Sequence, residues 1–302
     1  MKSGLHRTHV SLWSERNLAE ELRRHRETYI TLEDFRIIAD HGINLVRIPI
    51  PYFIFGDWPG HPGCITYLDR AFRWARETGL KIMIDLHTVP GSQNGFDNGG
   101  LTGVCKWAQN TDLVEYTLNV LERLARRYRD EPALHGIEVL NEPVSWSVFH
   151  STSNTAKDSH EASGSTYVSL RFLKRFYRDA YARLRAVLRP ETVIVFHDGF
   201  RLLRWGGWFR RAGMRNVMLD THQYLIAMED PLFSGPGTPA VPAIAATAMA
   251  VPDAGGREWH RHPFGGPSYS RAGGRVVRGE SVGPTTTKTD RLHTAKCHDC
   301  NA

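Results

Sequence analysis

Residues 134 to 143 read Leu134-His135-Gly136-Ile137-Glu138-Val139-Leu140-Asn141-Glu142-Pro143. Ile137, Val139 and Leu140 are β-prone, and Pro143 lacks a backbone N–H and cannot continue a central strand. The run reads as a buried strand that stops at a polar pair, Asn141-Glu142. A carboxyl at the mouth of such a strand suits general acid work. The apolar wall raises its pKa, and the neighbouring amide can bind a substrate hydroxyl. A strand that merely ends in polar residues would look the same, so the flanking sequence has to decide.

On the N-terminal side, Thr31-Leu32-Glu33-Asp34 is a helix start with Asp34 at the reciprocal capping position. Phe35, Ile38 and Ala39 then share one face, and Gly42 stops the helix. Asn44 to Ile50 is a buried strand by composition. A helix is predicted from about Tyr67 to Thr78, ended by Gly79. The strand Lys81 to His87 runs into a long polar loop. Asp112 to Arg129 is a periodic helix with Leu113, Val120, Leu121 and Leu124 on its inner side. Beyond Pro143, a loop rich in Ser, Thr and His spans about Ser145 to Ser165, and a long helix follows from about Tyr167 to Leu188. Thr192 to His197 and Asn216 to His222 are two further strands. Strands separated by helices argue for a parallel sheet, and at least five such steps favour a (β/α)8 TIM barrel. The sequence has no Gly-rich phosphate loop after the first strand to support a doubly wound nucleotide fold.

Composition agrees with one soluble domain of this size. The chain has 302 residues, 41% hydrophobic and 23% charged, which is ordinary for a globular protein. The net charge is +6, but Arg123, Arg126, Arg127 and Arg129 look like a solvated helix face, so neither nucleic acid nor membrane is expected as a partner. No apolar run is long enough to span a bilayer, and Met1 to Arg24 lacks the apolar core of a signal peptide. Cys64 and Cys105 lie far apart and make no disulfide framework, so a reduced cytoplasmic setting is the expectation. Cys297-His298-Asp299-Cys300 has metal-like spacing but no second pair, and no metal site is expected from it.

The strand ends carry polar residues in a regular way. Arg47 lies in the second predicted barrel strand and His87 ends the next. Asn141-Glu142 ends the fourth, His197-Asp198 the fifth, and His222 with Tyr224 the sixth. In a barrel these ends converge on one face, where active sites sit. Each has a plain structural alternative: Arg47 as a buried ion-pair partner, His87 as a hydrogen-bonded barrel histidine.

These residues resemble glycoside hydrolase family 5, and within it the exo-β-1,3-glucanases. The resemblance rests on Arg47-Ile48-Pro49, Asp85-Leu86-His87, Pro90-Gly-Ser-Gln-Asn-Gly-Phe-Asp-Asn98, Leu140-Asn-Glu-Pro143, His197-Asp198 and His222-Gln223-Tyr224, and covers about residues 29 to 230. It implies retaining hydrolysis of β-1,3-glucan or a related β-glucoside by double displacement, with two carboxyls about 5–5.5 Å apart and no cofactor. Glu142 would be the acid/base and Asn141 would bind the sugar 2-hydroxyl. Arg47 would orient the nucleophilic carboxylate. His87, His222, Tyr224 and Asn94 would contact substrate, and Trp146 would stack on a sugar face. Another family 5 β-glycanase, an endo-β-1,4-glucanase or a mannanase, is the nearest alternative, and a catalytically silent homologue is the second.

The sequence departs from the family pattern in its last quarter. The family's nucleophile follows an apolar-Val-Gly-Glu-Trp run. Arg275-Val-Val-Arg-Gly-Glu280-Ser281 is the nearest fit, so Glu280 is preferred and Glu258, in Arg257-Glu258-Trp259, is second. No first strand of the family type is recognisable before Arg24, and no eighth strand follows Glu280, so the barrel is expected to be incomplete. Residues 231 to 302 hold eight of the 16 Pro and ten of the 27 Gly, and helical period disappears there. The expected division is a barrel core over 1–230 and a divergent, irregular segment over 231–302 that holds at most a remnant of strand 7. A shift of reading frame near Asp230 would produce that composition.

Overall fold

Five strands carry the alternation that the sequence predicts. In the computed structural model, whose described residues are 15–151, 159–222 and 249–250, β1 (Leu45–Ile50), β2 (Lys81–Leu86), β3 (Leu134–Glu138), β4 (Val193–His197) and β5 (Val217–Asp220) pair in chain order, each parallel to the next. Helices α1 (Glu15–Thr28) and α2 (Leu32–Asp40) precede β1. Helix α3 (Ile65–Thr78) joins β1 to β2, α4 (Thr111–Tyr128) joins β2 to β3, and α7 (Leu170–Arg185) joins β3 to β4. Two short helices, α5 (Trp146–Ser151) and α6 (Ser159–Ala162), sit in the β3–α7 connection, and α8 (Trp208–Arg211) lies between β4 and β5. This is the wall of an incomplete (β/α)8 barrel.

Local chemistry accounts for the boundaries. The Asp34 carboxylate accepts from the Thr31 backbone N–H at 2.9 Å and from its hydroxyl at 2.8 Å, which starts α2. Asn110 caps α4 by accepting from Asp112 N–H at 2.9 Å. Gly79 ends α3 with φ +76, a conformation costly for residues with a Cβ. Helix α1 escaped the sequence reading because it has no strong apolar stripe. It is laced instead by pairs such as Arg23 with Glu27 at 2.7 Å, one turn apart, and each such pair adds only a few tenths of a kcal/mol.

The core lies between the sheet and its helices. Ile82, Ile84, Leu86, Ile137, Ile194 and Phe196 are buried on the strands. Phe72 of α3 stacks on Tyr128 of α4 with ring centres 4.3 Å apart. Trp107 is fully buried, donates from Nε1 to Thr117 Oγ1 at 2.9 Å, and meets Phe172 and Phe176 edge-on. It is a core residue, not a sugar platform, and the buried Trp205 and Trp208 are likewise packed.

The two flanks of the sheet differ from its centre. In β1 every residue but Ile50 is only half-buried, because β2 flanks it on one side and no described strand on the other. Pro49 fits there, since an edge strand tolerates a missing N–H. On the far side β5 carries not a parallel strand but the two-residue β6 (Met249–Ala250), paired antiparallel. Apart from those two residues, the segment 231–302 lies outside the described residues, with Glu258, Glu280 and Cys297 to Cys300.

Gly136 shows how closely the strands approach. A Cβ there would sit 2.6 Å from the Val193 carbonyl oxygen of β4. Gly136→Ala is expected to destabilise by about 1–3 kcal/mol, whereas Gly206→Ala, which meets nothing within 4 Å, stays near neutral. Urea midpoints of the two variants check this, and equal midpoints would refute the tight β3–β4 contact.

Candidate active site

Because β1 to β5 run parallel, the loops that follow them all open at one end of the sheet. Backbone strain collects at that end. Ser92, Glu142 and Phe200 follow β2, β3 and β4, and they have φ of 56, 45 and 57. Left-handed backbone at a non-glycine residue costs about 1–2 kcal/mol and persists where surrounding contacts over-determine it.

Behind this end lies a buried ionic cluster. Arg47 of β1 donates from Nε to Glu138 Oε2 of β3 at 2.7 Å, and from Nη2 to Asn141 Oδ1 at 2.9 Å. The same Nη2 is 3.0 Å from Asp85 Oδ2 of β2. Asp85 and Glu138 are fully buried. Burial opposes the Arg47 charge, but Asp85 and Glu138 hold it firmly on. Burial pushes the Glu138 carboxyl up, against the pull of Arg47. Asp85 also engages His87, whose Nδ1 is 2.6 Å from Asp85 Oδ2. Burial works against protonation of His87, and the Asp85 charge more than offsets it, so its pKa is raised.

The ladder of β3 ends at Glu138, four residues before the carboxyl of interest. The chain still runs alongside its neighbours, with Val139 N–H on Val195 O and Asn141 N–H on Leu86 O, both at 3.0 Å. Gln93 from the β2 loop clamps it there by donating to His87 O at 2.8 Å and Asn141 O at 2.9 Å. Glu142 then turns its carboxylate to His222, whose Nδ1 is 2.7 Å from Oε1, while Asn98 Nδ2 donates to Oε2 at 2.8 Å. His222 Nε2 reaches Asp220 Oδ2 at 3.2 Å.

This geometry reverses the expected direction of the Glu142 pKa. Burial alone would raise it, but the hydrogen bond and charge of His222, with the bond from Asn98, hold it down to about 2. Burial likewise opposes charge on His222, yet Asp220 and Glu142 push it up to about 10. An apolar wall was the wrong inference, because the strand mouth is lined by partners that the sequence brings from β5 and from the β2 loop. His197 behaves oppositely. It is fully buried, its Nδ1 accepts from Gly199 N–H at 2.9 Å, and burial with the neighbouring His222 charge lowers it to about 3.

Glu142, His197 and His222 each offer an atom within 4.8 Å of the others, as do Glu138, Asp220 and His222. His222 bonds a carboxylate through each ring nitrogen and is raised to about 10, so it is an imidazolium with no lone pair to give. His197 has its proton on Nε2, since Nδ1 accepts from the backbone.

Arg47, His87, Asn141, Glu142 and His222 are thus brought together. Asn94 is not part of that group. It is buried in its own loop, accepting from Phe96 N–H at 2.9 Å and donating to Asn98 at 3.2 Å. A Cβ on Gly99 would fall 2.2 Å from Asn94 Oδ1, so the loop is folded tightly over it and presents Asn98 instead. Trp146 stands 59% exposed beside His150 on α5. Tyr224, Glu280 and Glu258 lie outside the described residues. The sequence reading passed over Asp85, Glu138 and Asp220 as site residues. Their signal was a lone carboxylate inside an otherwise apolar strand, as in Ile84-Asp85-Leu86.

Buried polar atoms without a protein partner among the described residues collect here. Asp85 Oδ1, Thr88 Oγ1, Gln93 Oε1, Glu138 Oε1, Asn141 Nδ2 and His197 Nε2 are six of eight such atoms. Since each costs about 1–3 kcal/mol unless met, their concentration marks a place built to receive a polar ligand.

Comparison with known proteins agrees in kind. The family model for cellulase, glycosyl hydrolase family 5, matches residues 17–199. The chain is 39% identical to a glucan 1,3-beta-glucosidase of Blumeria graminis over 221 residues, 71% of this chain and 46% of that one. It is 40% identical to a probable glucan 1,3-beta-glucosidase A of Emericella nidulans over 210 residues, 68% and 46% of the two chains. The crystal structure of rutinosidase from Aspergillus niger superposes with a TM-score of 0.55 at 25% identity, covering 67% of this chain and 56% of that one. The chain spans about half the length of the curated relatives it matches.

The Glu142–His222 pair makes a direct prediction. Glu142 is depressed, so its contribution to stability is present above about 4.5 and is lost as pH falls toward about 2. His222 is raised, so its contribution is complete below about 6.5 and is lost as pH rises through about 10. NMR titration of the His222 ring is expected to show the high pKa, and Glu142→Gln to move it downward. A His222 that titrates identically in both proteins would break the assignment.

Proposed function

This chain belongs to glycosyl hydrolase family 5, the cellulase family, and from that premise we propose that it hydrolyses β-1,3-glucan or a related β-glucoside from the non-reducing end, with retention. The observation that carries the reading is Glu142 at the mouth of β3, fixed by His222 and Asn98 next to an Asn141 amide whose Nδ2 has no protein partner among the described residues. The relatives named glucan 1,3-beta-glucosidase favour the linkage.

Each side chain then has a task that its contacts allow. Arg47 donates to Asn141 Oδ1, which leaves the buried amide N–H for another acceptor. That N–H would donate to the sugar 2-hydroxyl, a contact that strengthens in an oxocarbenium-like transition state. His87 is engaged through Nδ1 by Asp85, and Nε2 would meet a sugar hydroxyl. Trp146 would stack on the sugar that leaves.

Glu142 works in both half-reactions. In the first it gives a proton to the glycosidic oxygen while a second carboxylate attacks the anomeric carbon. In the second it takes a proton from the water that releases the sugar. Ionised as it stands, it suits the second half. For the first it needs a proton, and the imidazolium of His222 holds one 2.7 Å away. The negative charge of an approaching nucleophile raises a neighbouring carboxyl and so favours the protonated Glu142 that the first half needs. Glu280 is the preferred nucleophile and Glu258 the second.

Purified full-length chain should release β-configured glucose from laminarin, read by NMR before mutarotation. Glu142→Gln should lower kcat about 10²- to 10⁴-fold, and one of Glu280→Gln and Glu258→Gln should match it. Full laminarin turnover by Glu142→Gln, or an α-configured product, would overturn the mechanism. Preference for β-1,4-glucan or mannan would overturn the substrate.

A further inference from the structure

Several arginines on the described helices have an acidic partner: Arg127 with Asp69 at 2.6 Å and Arg183 with Glu115 at 2.7 Å are examples. On one face a group of cations lacks such partners. Lys174, Arg175 and Arg178 of α7, Arg204 of the 3₁₀ turn Leu202–Arg204, and Arg210 and Arg211 of α8 form no ion pair with a carboxylate among the described residues. They form one surface. Lys174 donates to Arg204 O at 3.2 Å and lies over the rings of Trp205 and Trp208 at 5.3 and 5.5 Å, and Arg178 lies over Trp208 at 5.5 Å. The mutual closeness is felt electrostatically: burial, then Arg211, Arg178 and Arg204, lower the Lys174 pKa. At the α7 end the surface hollows into a depression lined by Ser169, Arg171, Phe172, Arg175 and Arg178.

In the same turn as Arg204 stands an apolar tip. Leu203 is 94% exposed and Leu202 41% exposed. An exposed leucine is ordinary, and so is an exposed arginine. An exposed leucine in the same turn as one of these clustered cations is an arrangement that an anionic bilayer surface accepts, with the apolar tip at the acyl boundary and the cations at the phosphates. A soluble polyanion would use the cations and leave Leu203 in water.

We propose that this face docks the protein on an anionic lipid surface, with Leu203 entering the bilayer interface and Arg175, Arg178, Arg204, Arg210 and Arg211 meeting the headgroup phosphates. The sequence, which expected no membrane partner, shows these arginines only as scattered helix positions. The fold gathers them. No helix among the described residues is long and apolar enough to cross a membrane, so the contact is peripheral. The 3₁₀ turn follows β4 and Glu142 follows β3, both at the loop end of the sheet. Docking would therefore hold the site's mouth near the surface. The proposal does not depend on the reading of that site.

Flotation of the full-length chain with phosphatidylcholine vesicles, with and without phosphatidylserine, tests it. Binding is expected only with phosphatidylserine, weakened by salt. Leu203→Ser and the double variant Arg175→Glu/Arg178→Glu should each weaken partitioning about tenfold or more, with melting temperatures unchanged because all three side chains are exposed. Three results would overturn it: no binding to phosphatidylserine vesicles at low salt, binding unaffected by the double variant, or binding unaffected by Leu203→Ser, which would mark a site for any polyanion.

Discussion

The guanidinium of Arg47 is the contact on which the other arrangements rest. It joins three adjacent strands through Asp85, Glu138 and Asn141, and two of its partners are carboxylates with no exposure at all. Truncating one member of such a cluster leaves buried charge unmatched, at a cost of about 3–5 kcal/mol. An apolar layer would fill the same space more cheaply. What the ionic layer supplies instead is direction. It sets the amide of Asn141, fixes His87 through Asp85, and keeps β1 in register with β2 and β3 although, among the described residues, β1 has a strand on one flank only.

The second constraint is that the site is assembled across the sheet. Glu142 belongs to β3, Asn98 to the loop after β2, and His222 to the end of β5, with β4 and its His197 between them. Among the described residues, the two groups that hold Glu142 come from separate segments. The left-handed backbone at Glu142 is a local cost that these distant contacts jointly sustain. The loop clamp by Gln93 has the same character, since it ties the backbone after β2 to the backbone after β3.

That division explains what could be read from residues alone. Periodicity and caps are local, so the strands from Leu45 to Asp220, the start of α2 at Thr31 and the stops at Gly42 and Gly79 were legible. The polar strand ends were legible too, because a barrel brings all of them to one face. The direction of the Glu142 pKa was not, because it depends on His222 and Asn98, eighty and forty-four positions away in the chain. The bond from Asn98 to Glu142 was not legible for a related reason: within one loop, only the tight packing over Gly99 decides which amide reaches the strand mouth. Asp85 and Glu138 were hidden by their surroundings, since a charge inside an apolar strand has no evident partner until Arg47 is placed beside it. Helix α1 was missed because surface ion pairs, not an apolar stripe, run along it.

The fixed tautomer of His197 has a consequence for the whole cluster. Gly199 N–H commits Nδ1, so this ring stays neutral until about pH 3, while Glu142 stays negative above about 2 and His222 positive below about 10. In the resting site these three groups keep their charges across the intervening range, and only the reaction itself moves a proton on or off Glu142. A glycosidic oxygen arriving there meets the same electrostatic landscape in weak acid as in weak base. Sensitivity to pH then enters through the raised groups beside it, His87 and Glu138, or with the carboxylate that completes the pair.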